Sequence, residues 1–160
     1  MISAKITDIP KFMSLMFSSE VFDDFFLVEE NVKTFGTFKI DGRLNPDFYD
    51  EKENLKEFAT WREMRNPSRE IIKGKVLPLK LTVLFMMPED IYKKTFEGTV
   101  YETVTDLKLF MNVHFENGEL RITTGTGRDS FTLDKEYEKM WDRELTEILT
   151  KLGLEYESEA

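Results

Sequence analysis

The chain has no cysteine, which excludes both a disulfide framework and a thiolate metal site. It has one histidine, His114. Any Ser/His/Asp triad would have to use that ring, and no Gly-x-Ser-x-Gly elbow accompanies it. Long apolar runs are also missing. The longest, Leu81 to Met87, falls far short of the roughly 18 residues that cross a bilayer and suits a buried strand. The opening Met1-Ile2-Ser3-Ala4-Lys5 lacks the apolar centre of a secretory leader. A cytoplasmic protein without membrane contact is the expectation by elimination.

What is present describes a folded chain. The 160 residues suit one domain, 1–160, long enough to bury a sizeable core. Fourteen Phe, five Tyr and two Trp are far more large apolar groups than a disordered chain carries. The net charge of −9 argues against bulk attraction to nucleic acid or anionic lipid. That charge is segregated. Residues 61–80 hold Arg62, Arg65, Arg69, Lys73, Lys75 and Lys80 against Glu63 and Glu70, so this segment carries +4 and the remainder −13.

Residues 2–6 alternate as a short strand, and Asp8 caps a helix over 8–18 with Pro10 in its first turn. Ile9, Phe12, Met13 and Met16 form its buried stripe. Phe22 to Val28 and Val32 to Ile40 read as a hairpin turning at Glu29-Glu30-Asn31. Pro67 and Gly74 bracket a short helical turn, Leu77 to Met87 is a strand, and Pro88 starts a helix through Phe96.

The strongest signal is at 107–125. Leu107, Leu109, Met111, Val113 and Phe115 alternate with polar neighbours, and Asn117-Gly118 supplies a two-residue type I′ turn. The register pairs Phe115 with Leu120, Val113 with Ile122 and His114 with Arg121. A last helix runs from about Leu133 to Leu152, capped by Thr132 or Asp134 and ended by Gly153. Its stripe is Tyr137, Trp141, Leu145, Ile148 and Leu152, and the tail 155–159 is read as solvated and frayed. Segments 1–45 and 76–133 share a strand–helix–hairpin order. Two such βαββ units would give an α+β fold, an antiparallel sheet with helices on one face plus the C-terminal helix.

Thr123 to Ser130 is the most site-like stretch. Thr124, Gly125, Thr126, Gly127 and Arg128 could cradle an anion on backbone N–H groups. However, the stretch lacks the Gly-Lys-Ser/Thr of a P-loop and the third glycine of a dinucleotide fingerprint. The glycines follow a strand and precede Phe131-Thr132-Leu133, so an irregular strand or bulge explains them well and is the preferred reading. The acidic pairs Asp23-Asp24, Glu29-Glu30 and Asp50-Glu51 occupy adjacent positions, which on a strand face opposite ways. In the basic segment, Arg62, Arg65, Arg69 and Lys73 would form one stripe on a continuous helix. Pro67, which cannot donate to the carbonyl of Glu63, breaks that helix. The segment therefore reads as a charged edge answering the protein's own carboxylates, with phosphate contact as the alternative.

Several stretches resemble a family of uncharacterised proteins from clostridial Firmicutes. These are Phe22-Asp23-Asp24-Phe25-Phe26-Leu27, Thr37-Phe38-Lys39-Ile40-Asp41-Gly42-Arg43, Ile72-Lys73-Gly74-Lys75 with Pro78, Thr123-Thr124-Gly125-Thr126, Phe131-Thr132-Leu133-Asp134 and Trp141-Asp142. That resemblance implies a bacterial cytoplasmic protein and brings no active-site residues. A looser one concerns topology. The strand–helix–hairpin order, with Lys5 to Phe12 leading the first unit and Asn117 to Ile122 in the second, is similar to sliding-clamp domains of DNA processivity factors. The units are shorter than clamp domains, and the helices offer DNA only Lys11, Lys93 and Lys94.

The reading that results is a non-catalytic binding or scaffold domain acting through a protein partner or self-association. Phe35 and Phe110 are its candidate contact residues on otherwise polar strand faces. Anion or nucleotide binding at 124–128, and clamp-like association with nucleic acid, are the alternatives. No cofactor and no metal site is expected.

Overall fold

A computed structural model describes residues 1–74 and 76–159. Seven strands form one antiparallel sheet: β1 (Ser3–Ile6), β2 (Phe26–Lys33), β3 (Thr37–Asp41), β4 (Lys80–Met86), β5 (Leu107–Glu116), β6 (Glu119–Arg128) and β7 (Tyr156–Glu159). Their spatial order is β3-β2-β4-β5-β6-β1-β7. Four helices accompany them: α1 (Ile9–Ser18), α2 (Trp61–Ile72), α3 (Glu89–Phe96) and α4 (Glu136–Lys151). The fold is α+β. None of these helices is long and apolar enough to cross a membrane.

Alternation builds the core. Leu81, Val83 and Phe85 of β4, Leu109 to Phe115 at every second position of β5, and Leu120 and Ile122 of β6 are buried together with Phe12, Met16, Trp61, Phe96, Trp141 and Leu145 of the helices. The helices thus cover one sheet face, and the opposite face, with Leu84, Phe110, Asn112 and His114, stays half-exposed. The two tryptophans fix the helices through their indole N–H groups as well as by area. Trp61 donates to the Met16 carbonyl at 2.7 Å, and Trp141 to that of Phe110 at 2.9 Å.

The element order β-α-β-β does occur twice. The two runs interleave rather than lie side by side, because β1 pairs with β6 and β7, and β4 separates β2 from β5. The 107–128 hairpin has the register read from its alternation, turning at Asn117 (φ 54°) and Gly118 (φ 75°). Asp8 caps α1 by accepting from the Lys11 amide at 3.1 Å.

Four local expectations are corrected. The first hairpin does not turn at Glu29-Glu30-Asn31. β2 passes straight through them with an irregularity at Val28, and the chain turns at Thr34–Gly36, where the Thr34 amide donates to the Gly36 carbonyl. Strand continuity holds because Glu30 is buried beneath α2, which supplies the Ser68 hydroxyl as its donor. Second, α2 is not broken at Pro67. The helix forfeits one bond there, and its seating offsets the loss. Trp61 and Ser68 are fully buried, and Thr60 with Glu63 closes a capping box. Third, β4 begins only at Lys80, leaving Leu77 and Leu79 outside the strand. Finally, the C-terminal tail is ordered. Tyr156–Glu159 adds an edge strand to β1, secured by Arg121, whose Nε lies 2.7 Å from a Glu159 carboxylate oxygen.

Candidate functional site

Residues 76–79 lead into β4 and are tied to the sheet where the Leu79 amide donates to the Lys33 carbonyl at 2.8 Å. Pro78 is buried, which turns its neighbours outward. Val76, Leu77 and Leu79 are 81%, 70% and 62% exposed, and Phe35 at the β2–β3 turn is 95% exposed. These side chains and the half-buried Ile71 and Ile72 at the end of α2 line one groove of about 490 Å³. Single exposed apolar residues need no explanation, but a contiguous set is characteristic of a contact surface. Phe35 is held by edge-on packing against Phe38, with ring centroids 5.6 Å apart. Thr34 is a further lining residue. Thr34 Oγ1 is shut off from solvent and has no hydrogen-bond partner among the described residues.

The basic residues divide between structure and this groove. Arg65 is spent internally, its Nε and Nη2 at 3.0 and 3.1 Å from the two carboxylate oxygens of buried Asp23. Arg62 reaches Asp23 and Asp24 at 3.7 and 3.5 Å. Lys80 faces Glu116 at 3.5 Å on the open sheet face. Lys73 lines the groove and pairs with Glu70 at 2.6 Å. Arg69 lies one turn before Lys73 on α2, exposed and without an ion pair among the described residues. Lys75 lies outside the described residues.

The stretch 123–130 is a regular strand through Arg128 rather than a bulge, with Gly125 opposite Phe110 and Gly127 opposite Lys108. Phe110 lies against both glycines, its ring over Gly127 and its Cβ beside Gly125. A Cβ at Gly127 would meet its Cε2 at 3.1 Å, and one at Gly125 its Cβ at 3.6 Å. Thr124 points to the covered face, where its hydroxyl donates to Asp142 and accepts from the Ile2 amide at 2.9 Å. Arg128 lies 5.6 Å above the Tyr137 ring and 3.6 Å from Asp106. The Ser130 hydroxyl holds the Asp106 carboxyl below its ordinary range, and Arg128 adds to that. The hydroxyl of Tyr101 is bound to Asp134 and is pushed up to about 12, chiefly by that bond. Thr126, Arg128, Ser130, Thr132 and Lys135 border a separate polar cleft of about 380 Å³.

His114 stands opposite Arg121 as the register requires, with Nε2 at 3.2 Å from a Glu116 oxygen. The carboxylates of Asp23-Asp24 and Glu29-Glu30 diverge in burial, one member of each pair buried and the other exposed. No group of three His, Asp or Glu side chains suited to a metal occurs among the described residues.

Of the residues singled out in the sequence, Phe35 and Lys73 come together at the groove. Leu77 and Leu79 have the look of strand core in the sequence, with Val76 just before them. The signal that marks them is Pro78, which removes an amide from the ladder just where the strand would have begun.

No curated protein matches the chain, and no solved structure does, so the likeness to sliding clamps finds no structural counterpart. A family model does match, over residues 15–157, and the chain belongs to that family, a family of unknown function designated DUF5721.

Proposed function

We propose that this protein is a non-catalytic binding domain of the cell interior that docks a protein partner in the groove between the β2–β3 turn and the α2–β4 connection. One observation carries the reading: Phe35, Val76, Leu77 and Leu79 are all more than half exposed and line the same groove. Leaving large apolar side chains in water forgoes about 1.5–3 kcal/mol apiece that burial would return. A partner surface that covers them recovers it. The alternative readings draw less support. Arg65 and Arg62 are occupied by Asp23 and Asp24, which interrupts a basic track for nucleic acid, and Arg128 is already answered by Asp106.

The environment-sensitive dye anilinonaphthalene sulfonate tests the groove directly. The native protein should enhance its fluorescence, and Leu77→Ser or Phe35→Ser should remove most of the enhancement without lowering the cooperativity of unfolding. Enhancement that is absent, or unchanged in both variants, would sink the reading.

A further inference from the structure

α2 is fastened unevenly along its length. In its first half the Trp61 amide donates to the Phe25 carbonyl at 2.8 Å and the indole to Met16 at 2.7 Å. The Arg62 amide donates to the Asp23 carbonyl at 3.1 Å, and Arg65 holds the Asp23 carboxylate with two nitrogens. Pro67 then interrupts the helix, because it cannot donate to the Glu63 carbonyl. Beyond it the ties thin out. Among the described residues, the side chains of Ser68 to Ile72 make one hydrogen-bonded link outside α2, from the Ser68 hydroxyl to Glu30. Arg69 and Glu70 are exposed and Ile71 and Ile72 only half-buried, so little apolar area reinforces that link.

The acceptor is a carboxyl placed where charge is unfavourable. Glu30 is fully buried, and its cross-strand neighbours are Ile40 of β3 and Val83 of β4. On α2 the cations one turn either side of Ser68 are Arg65, held by buried Asp23, and Arg69, which is exposed. Glu29, Lys33, Lys39, Asp41 and Lys80 occupy the alternate strand positions, on the open sheet face. No cation compensates a charge on Glu30, so burial disfavours the ionised form. Burial pushes this carboxyl up to about 7, and the single hydroxyl donor opposes the rise without cancelling it.

We infer that Glu30 and Ser68 form a proton-operated latch. With Glu30 protonated, the second half of α2 is seated on the sheet. Loss of the proton releases residues 68–72 about Pro67 while the first half stays docked. Release returns the carboxylate to water and gives up only the Ser68 bond and the contacts of Ile71 and Ile72. A raised carboxyl favours the seated state fully below about 4.5, and that advantage is lost as pH climbs to about 7. Ile71, Ile72 and Lys73 also line the groove, so release alters that surface. This consequence rests on the docking reading, and the latch itself does not.

Hydrogen exchange read by mass spectrometry on the intact chain, corrected for the intrinsic effect of pH, follows the two halves separately. Opening at residues 70–73 should rise more than about ten-fold from near pH 5 to near pH 8, most of it below about pH 7. The amides of 64–66 should keep their protection throughout. Glu30→Gln retains a partner for Ser68 and removes the titration, so its second half should stay protected at both pH values. A merely structural Glu30 would not give this pH profile. Protection lost in step along the whole helix would overturn the latch, as would a rise that persists in Glu30→Gln. Residues 70–73 unprotected already near pH 5, or still protected near pH 8, would overturn it equally. Absence of dye enhancement at the groove, with the exchange pattern as expected, would sink the docking reading alone and uphold the latch.

Discussion

Ser68 of α2 donates its hydroxyl to both carboxylate oxygens of Glu30, at 2.7 Å to the second, and neither side chain is in contact with water. Burial pushes the Glu30 carboxyl up from 4.5 to about 7, the Ser68 bond opposing the rise. A group raised in this way contributes stability that is complete below its unfolded value and is lost as pH climbs through about 7. At about 1.4 kcal/mol per pH unit, the buried carboxylate costs the fold roughly 3 kcal/mol above that window. Glu30→Gln should therefore match wild type within about 1 kcal/mol near pH 5 and exceed it by about 2–3 kcal/mol near pH 8.5. Urea unfolding at the two pH values reads the difference, and equal gains at both would remove Glu30 as the titrating group.

A second prediction separates two arginines that look alike in the sequence. Arg65 grips Asp23 with two nitrogens, and the Asp23 side chain is 1% exposed. Arg65→Met strands that carboxylate in the core and should cost about 3 kcal/mol. Arg62, 59% exposed and 3.5–3.7 Å from its acids, should cost under about 1 kcal/mol as Arg62→Met. Denaturant midpoints at constant slope decide it, and the reverse ranking would contradict the geometry.

These residues also show what is legible in the sequence. The 107–128 hairpin is readable because period-two alternation and Asn117-Gly118 are local signals, and its register follows from them. Glu29-Glu30-Asn31 misleads as a turn because a charged run normally marks solvent. That Glu30 is buried depends on Ser68, 38 residues away, which no local window contains. Likewise the passage of α2 through Pro67 depends on Trp61 and Ser68 being buried against the sheet, a tertiary gain that overrides propensity. The groove is hidden for the opposite reason. Leu77 and Leu79 have the composition of strand core, and alternation alone cannot report that Pro78 delays the strand.

Gly42 supplies a third prediction. A Cβ built there would overlap the Leu27 carbonyl oxygen and come within 2.7 Å of the carbonyl carbon. The Gly42 amide donates to the Val28 carbonyl at 2.9 Å and its own carbonyl accepts from Ala59 at 2.8 Å, so neither strand can give way cheaply. Gly42→Ala should cost more than about 4 kcal/mol or prevent folding. Gly36→Ala, with nothing within 4 Å of the added carbon, is the control and should be close to neutral. Thermal melts of the two variants suffice, and a stable Gly42→Ala protein would refute the close approach.

The anion-binding alternative at 124–128 can be decided by the pairing of Arg128. Its guanidinium lies over Tyr137 and beside Asp106, which also accepts from the Ser130 hydroxyl at 2.7 Å. If these contacts are its whole role, Arg128→Ala lowers the melting temperature by a few degrees, and inorganic phosphate shifts wild type and variant equally little. Removing the competing charge makes the sharper test. Asp106→Asn leaves Arg128 and Lys135 facing the polar cleft without the neutralising carboxylate, and phosphate bound only to the native state would then raise the melting temperature by mass action. The structural role predicts a phosphate response in Asp106→Asn and none in wild type. A wild-type response abolished by Arg128→Ala would instead place an anion site at the end of β6, with Asp106 as the group that an incoming anion displaces.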